Sequence, residues 1–191
     1  PKRLIVAHLG NGASMAAIRD GKCVATTMGF STLDGLVMGT RAGLIDPGVL
    51  IHLLRNGMSL EELERLLYYK SGVKGVSALT ADMKTLLESS DPKAKLAIDL
   101  YCYRIARELG SLSAALGGLD ALVFTGGVGE NAVAIRARAC ADAAWLGLAL
   151  DDAANRHGGP LVTTASSRVA AWVVPTDEEL TIARHAQALL A

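Results

Sequence analysis

Between Lys93 and Leu116 the apolar residues Ile98, Cys102, Ile105, Leu109, Leu112 and Leu116 recur at alternating spacings of four and three, while Lys95, Asp99, Arg104, Arg107 and Glu108 fall on the other faces. This is the period of one long α-helix with a single apolar stripe. The stripe is too short for a sustained heptad seam and stops at Gly117-Gly118, which favours burial against a sheet over a coiled coil. Directly after those glycines, Ala121 to Thr125 reads ALVFT, an apolar run of strand length suited to the interior of a sheet. A long helix that delivers the chain into a buried strand points to a layered α/β fold.

The other elements follow from local signals. Arg3 to Ala7, Ala13 to Ile18 and Cys23 to Thr27 read as three short strands, joined by Gly10-Asn11-Gly12 and by the hairpin signal Asp20-Gly21, and so form an antiparallel meander. Gly29, Gly35, Gly39 and Gly43 punctuate a stretch without period, which reads as loop. Asp46-Pro47 opens a helix, and Ser59 with Glu62 is a capping box for a second one reaching Tyr69. Gly126 to Asn131 reads as a glycine turn, Ala132 to Ala144 as a helix, and Val169 to Val174 as a last strand, with Thr176 and Glu179 capping a terminal helix. Trp145 and Trp172 read as core. The expected architecture is a β-meander whose sheet is extended by parallel crossover strands with helices packed on it, ligands sitting at the glycine-rich strand ends.

Composition narrows the function classes. A chain of 191 residues can bury a core without disulfides or metal. Nineteen basic and nineteen acidic residues, without like-charge runs, leave no electrostatic footprint for nucleic acid or an anionic membrane. Cys23, Cys102 and Cys140 are too scattered for a disulfide framework or a zinc cluster and read as reduced core thiols. With no membrane-length apolar stretch and no secretory leader, a cytoplasmic protein is expected. The start at Pro1, without a methionine, suggests a piece of a longer protein.

Two glycine segments could carry chemistry: His8-Leu9-Gly10-Asn11-Gly12 after the first strand, and Gly126-Gly127-Val128-Gly129-Glu130-Asn131 after the buried one. Glycines let backbone N–H groups approach anionic oxygens, and a following helix turns its positive end toward them. Neither matches a nucleotide-loop pattern, and on the residues alone plain tight turns are the more ordinary reading. Arg41, in the glycine-rich MGTRAG, could reach a transferring phosphoryl group with a planar guanidinium, or could be solvated on its loop. His8 suits phosphate donation or a structural hydrogen bond. Asp34, Asp46 and Asp82 read as caps or loop carboxylates. With Glu179 occupied by the capping box, Glu178 is left able to hold Mg²⁺ or to be solvated. His52, His157 and His185 have no metal-ligand spacing.

Taken together, HLGNGAS at 8–14, TMGFSTLDGLVMGTRAG at 27–43 with Asp46-Pro47, FTGGVGEN at 124–131 and VPTDEEL at 174–180 resemble, in order and spacing, the C-terminal half of the acetate kinase family. The resemblance covers residues 1–191 and implies a ribonuclease H-like, actin-like ATPase domain: the C-terminal nucleotide-binding domain, without the N-terminal one. It also implies reversible phosphorylation of acetate or another short-chain carboxylate by ATP, giving acyl phosphate and ADP, with Mg²⁺ and in a homodimer. Carried over, the phosphate-binding loop falls on His8, Leu9, Gly10, Asn11 and Gly12, and the transition-state arginine on Arg41. The adenosine stretch falls on Asp82, Met83 and Lys84, the second nucleotide loop on Gly126, Gly127, Val128, Gly129 and Glu130, and the magnesium-associated glutamate on Glu178. Leu44 stands where the family commonly has aspartate, and Lys84 where it has arginine. The alternatives are a propionate or butyrate kinase, a non-catalytic nucleotide-binding or dimerisation module, and, least in keeping with the glycine spacing, a nicotinamide dehydrogenase.

Overall fold

The computed structural model describes residues 1–190. The chain opens with β1 (Arg3–Leu9), β2 (Ala13–Arg19) and β3 (Lys22–Thr26), then continues through α1 (Pro47–Arg55), α2 (Leu60–Arg65), α3 (Gly72–Ser77), α4 (Met83–Glu88) and α5 (Pro92–Leu116). After β4 (Ala121–Thr125) come α6 (Gly126–Asn131), α7 (Val133–Asp142), α8 (Asp152–His157), β5 (Ala170–Val173) and α9 (Glu178–Leu190). The strands form one mixed sheet in the order β3-β2-β1-β4-β5, antiparallel among the first three and parallel from β1 to β4 to β5. The expected meander extended by crossover strands is the observed fold.

Its logic is that of the sequence. Asp20 and Gly21 both take left-handed backbone (φ 51° and 78°), the two-residue turn that matches strand twist. Side chains alternate along β1 and β2, with Ile5, Ala7 and Leu9 buried opposite Ala17, Met15 and Ala13. The stripe of α5 closes over this face: Cys102, Ile105, Leu109, Leu112 and Leu116 are all buried, with Ile98 at the edge. Each such side chain is worth about 1.5–3 kcal/mol of burial. Asp91 caps α5 through the Lys93 amide, and Gly117, at φ 72°, ends it.

Several expectations are corrected. Arg104 is buried on the flank of α5 and pairs with Glu108 at 2.8 Å, because α3 as well as the sheet packs on this helix and widens its covered face. Trp145 (65% exposed) and Trp172 (38%) stand outside the core, and Cys23 lies exposed on the edge strand β3. Cys102 and Cys140 are buried thiols, pushed up to about 11 and about 12 by loss of water, so both stay protonated. The second helix ends at Arg65 and continues as a π-helical turn, Leu66–Lys70. Gly126 to Asn131 is helix rather than turn, because after Gly126 the backbone falls into helical hydrogen bonding, the Ala132 amide reaching the Val128 carbonyl. Thr176 and Glu179 do not form a capping box, since the Thr176 hydroxyl bonds Glu130 while Asp177 accepts from the Leu180 amide. The short helices α3 and α4 carry no clean apolar period and were not expected.

Candidate functional site

Parallel pairing of β1 with β4 sets His8 opposite Thr125, so the two glycine segments leave the C-terminal ends of adjacent interior strands side by side. A Cβ on Gly10 would lie 4.0 Å from the Gly127 amide nitrogen. Gly126 has φ 77°, and a Cβ there would fall 2.8 Å from the Leu9 carbonyl oxygen, a closeness of backbones that only glycine permits.

The segments open onto a cleft of about 1070 Å³. Gly10 and Asn11 line one wall, Asp82, Met83 and Lys84 a second, and Gly127 and Val128 a third. Seven predicted site residues from three distant stretches therefore meet around one space. The others stand behind it. Leu9 is fully buried, so only its backbone is placed to serve the site. Gly126 and Gly129 are buried backbone under the third wall. His8 is half-buried, its ring 3.1 Å from where a Cβ on Gly126 would stand.

Arg41 arrives on the irregular stretch between β3 and α1. That stretch has no helix or strand, yet it is pinned just before Arg41. Gly39 donates to the Asn11 carbonyl at 2.8 Å, Val73 to the Met38 carbonyl at 2.9 Å and Ser71 to the Thr40 carbonyl at 2.9 Å, while Leu36 and Met38 are buried in the core. The Arg41 guanidinium lies over Gly12, where a Cβ would meet Nη2 at 3.3 Å, and donates through Nη1 to the Thr32 carbonyl at 3.0 Å. Gly72 (φ 64°) makes this docking possible, because a Cβ there would fall 2.2 Å from the Met38 carbonyl oxygen.

The carboxylates are already employed. Asp82 caps α4, accepting from the Thr85 amide (2.8 Å) and hydroxyl (2.6 Å), which hold its carboxyl below the usual range. Asp46 caps α1 through the Gly48 amide. Glu130 Oε1 accepts from the Thr176 amide (3.0 Å), the Thr176 hydroxyl (2.9 Å) and the Gly126 amide (3.0 Å), and these donors hold its carboxyl low too. This clasp fastens the second glycine segment to the residues leading into α9. Glu178 opens α9, two residues past the clasp; its side chain lies outside the described residues.

The sequence reading missed what backs the second segment. Arg136, on α7, is fully buried and donates to the Gly129 and Glu130 carbonyls (3.0 and 2.7 Å), to Asn155 Oδ1 (2.7 Å) and to the Asn155 carbonyl (2.7 Å). The available signal was its place three and four residues before the buried Ala139 and Cys140, a charge set on an apolar helix face. Among the described residues no group of three or more His, Cys, Asp or Glu is arranged to hold a metal, and no described helix is long and apolar enough to cross a membrane.

Solved acetate kinases share this fold. The structure of the Porphyromonas gingivalis enzyme superimposes with a TM-score of 0.92 at 40% identity, over 100% of this chain and 49% of that one. The Entamoeba histolytica acetate kinase gives 0.92 at 38% identity, covering 98% of this chain and 51% of its own. A propionate kinase from Francisella tularensis gives 0.90 at 41% identity, covering 95% and 48%. In sequence, an acetate kinase of Rhodopseudomonas palustris (strain TIE-1) is 58% identical over 186 residues, 96% of this chain and 47% of the relative. The profile of the acetokinase family matches residues 1–184, and the chain belongs to that family. It spans about half the length of the curated relatives it matches.

Proposed function

We propose that this chain is the C-terminal, nucleotide-binding half of an acetate kinase, an enzyme that transfers the γ-phosphoryl group of ATP to acetate or another short-chain carboxylate and runs the reverse reaction from acyl phosphate and ADP. The observation that carries the proposal is the meeting of two glycine segments at the C-terminal ends of adjacent parallel strands, with a guanidinium laid over the first of them.

In this proposal the adenosine lies along Asp82, Met83 and Lys84, and the phosphates run between His8–Gly12 and Gly126–Glu130, with amides of the Gly10 and Gly127 regions donating to phosphate oxygens. Leu9, Gly126, Gly129 and Glu130 shape the backbone instead of touching the nucleotide through side chains. Arg41, beside Gly12, stabilises negative charge on the transferring group, the part of phosphoryl transfer that positioned cations accelerate most. The acceptor is a carboxylate, which is already ionised, so no general base is required. Mg²⁺ is a hard cation that keeps waters and phosphate oxygens and needs only one or two carboxylates of the protein. Glu178, which opens α9 two residues past the Thr176–Glu130 clasp, would be the residue to hold it. Bound there, the ion supplies neutralisation of phosphate charge.

The remainder of the acyl pocket comes, in this account, from the half of the relatives' length that the chain does not span, and the assembled protein is a cytoplasmic homodimer, as the family resemblance implies. The test is acyl phosphate formation from ATP and acetate, trapped as the hydroxamate. This chain alone gives little or no turnover; in the complete enzyme Arg41→Ala lowers kcat by about 100-fold or more with a small change in KM. A change confined to KM contradicts the role given to Arg41.

A further inference from the structure

Arg136 has no part in the chemistry above, yet it is among the most completely buried side chains of the molecule. Among the described residues the ion pairs are Arg3–Asp120, Lys95–Asp99, Arg138–Asp99 and Arg104–Glu108, and Arg136 belongs to none of them. Its four acceptors, the carbonyls of Gly129, Glu130 and Asn155 and the amide oxygen of Asn155, are all neutral. A guanidinium buried without an anion is costly, and neutral donors could satisfy the same oxygens at lower cost. The position of the charge explains its retention. It sits at the carbonyl end of α6, a helix of six residues, hence about 9 Å long. In so short a helix the negative carbonyl end is near enough to oppose an anion at the amide end. Arg136 offsets that end and adds a full positive charge behind it.

We infer that Arg136 is a positioning residue for the polyphosphate: its anion-free guanidinium fixes the Gly129 and Glu130 carbonyls and makes the second glycine segment favour ligands by the number of negative charges they carry. This rests on the nucleotide reading of the cleft. Arg136 stands beyond one end of this helix and the anion beyond the other, so at a separation of roughly 15 Å a fixed unit charge changes affinity on the order of fivefold for each further ligand charge.

The test is calorimetric titration with AMP and with ADP, without divalent cations so that ADP carries the greater negative charge, of the unaltered chain, Arg136→Gln and Asn155→Asp. The second variant keeps the oxygen that Arg136 Nε contacts but sets a carboxylate on the guanidinium, at the cost of placing an oxygen against the Val133 carbonyl where Asn155 Nδ2 had donated. It carries the test should Arg136→Gln fail to fold. The preference for ADP over AMP is expected to fall about fivefold in both variants. Equal losses for the two ligands, the mark of a purely structural role, overturn the inference, as does an unchanged preference in Asn155→Asp. If the unaltered chain binds neither ligand, the nucleotide reading falls and this inference with it; binding that both variants leave intact overturns this inference alone.

Discussion

The two glycine segments read alike in sequence and end neighbouring parallel strands, but the structure builds them differently. The first, Gly10-Asn11-Gly12, is a true turn: Gly10 donates to the Gly12 carbonyl at 3.0 Å, and the chain returns at once as β2. Its Asn11 is exposed, and its Gly12 faces a side chain, the Arg41 guanidinium. The second, Gly126–Asn131, is a helix start held from three sides, by the Leu9 backbone, by the Glu130–Thr176 clasp and by buried Arg136. One wall of the cleft is thus backed by buried polar groups and the other by the side chain of an arginine. Tolerance to substitution should therefore differ sharply between them.

The largest effect is expected at Arg136. Arg136→Met strands the carbonyls of Gly129, Glu130 and Asn155 and should cost about 3 kcal/mol or more in chemical denaturation. Gly126→Ala forces a Cβ into left-handed backbone against the Leu9 carbonyl, a loss of about 2–3 kcal/mol by the same measurement. On the other wall, Gly12→Ala meets only the tip of a flexible arginine, so stability should fall by less than about 1 kcal/mol while kcat of the complete enzyme drops as Arg41 is displaced. Smallest of all, Leu44→Asp, at a side chain 60% exposed, should stay within about 0.5 kcal/mol. A first-wall substitution as damaging as Gly126→Ala would erase the contrast.

Acid sharpens it further. The carboxyl of Glu130 is held low by Thr176 and Gly126, and that of Asp120 is held down to about 2 by Arg3. A depressed carboxylate pKa contributes stability that is present above the ordinary range and lost as pH falls through the folded value. Urea midpoints should thus decline from the ordinary carboxylate range toward pH about 2, and Glu130→Gln should lessen the decline. An unchanged profile in that variant would remove the clasp from the account.

The sequence made the framework legible because periodicity reports burial directly: α5, the meander and β4 all follow from apolar spacing. It marked the cleft through glycines, whose backbone freedom is a property of the residue itself. The side-chain roles behind the glycines were hidden. Glu130 read as part of a loop and Thr176 as a cap, yet they bond each other across 46 positions. Arg136 and Asn155 acquire meaning only once α7 and α8 pack together. Trp145 and Trp172 mislead in the opposite sense, since their size suggested core and the fold leaves them at the surface.

The most direct test of the central claim, that paired glycine segments form a nucleotide phosphate site, is calorimetric titration of Mg-ADP into this chain and its Gly127→Val variant. Gly127 lines the cleft, and a Cβ there meets nothing within 4 Å, so the variant should fold normally and fill the space meant for phosphate. Micromolar to millimolar binding by the unaltered chain, abolished in a fully folded variant, is the predicted result; absence of binding by the unaltered chain, or equal binding by both, would contradict it.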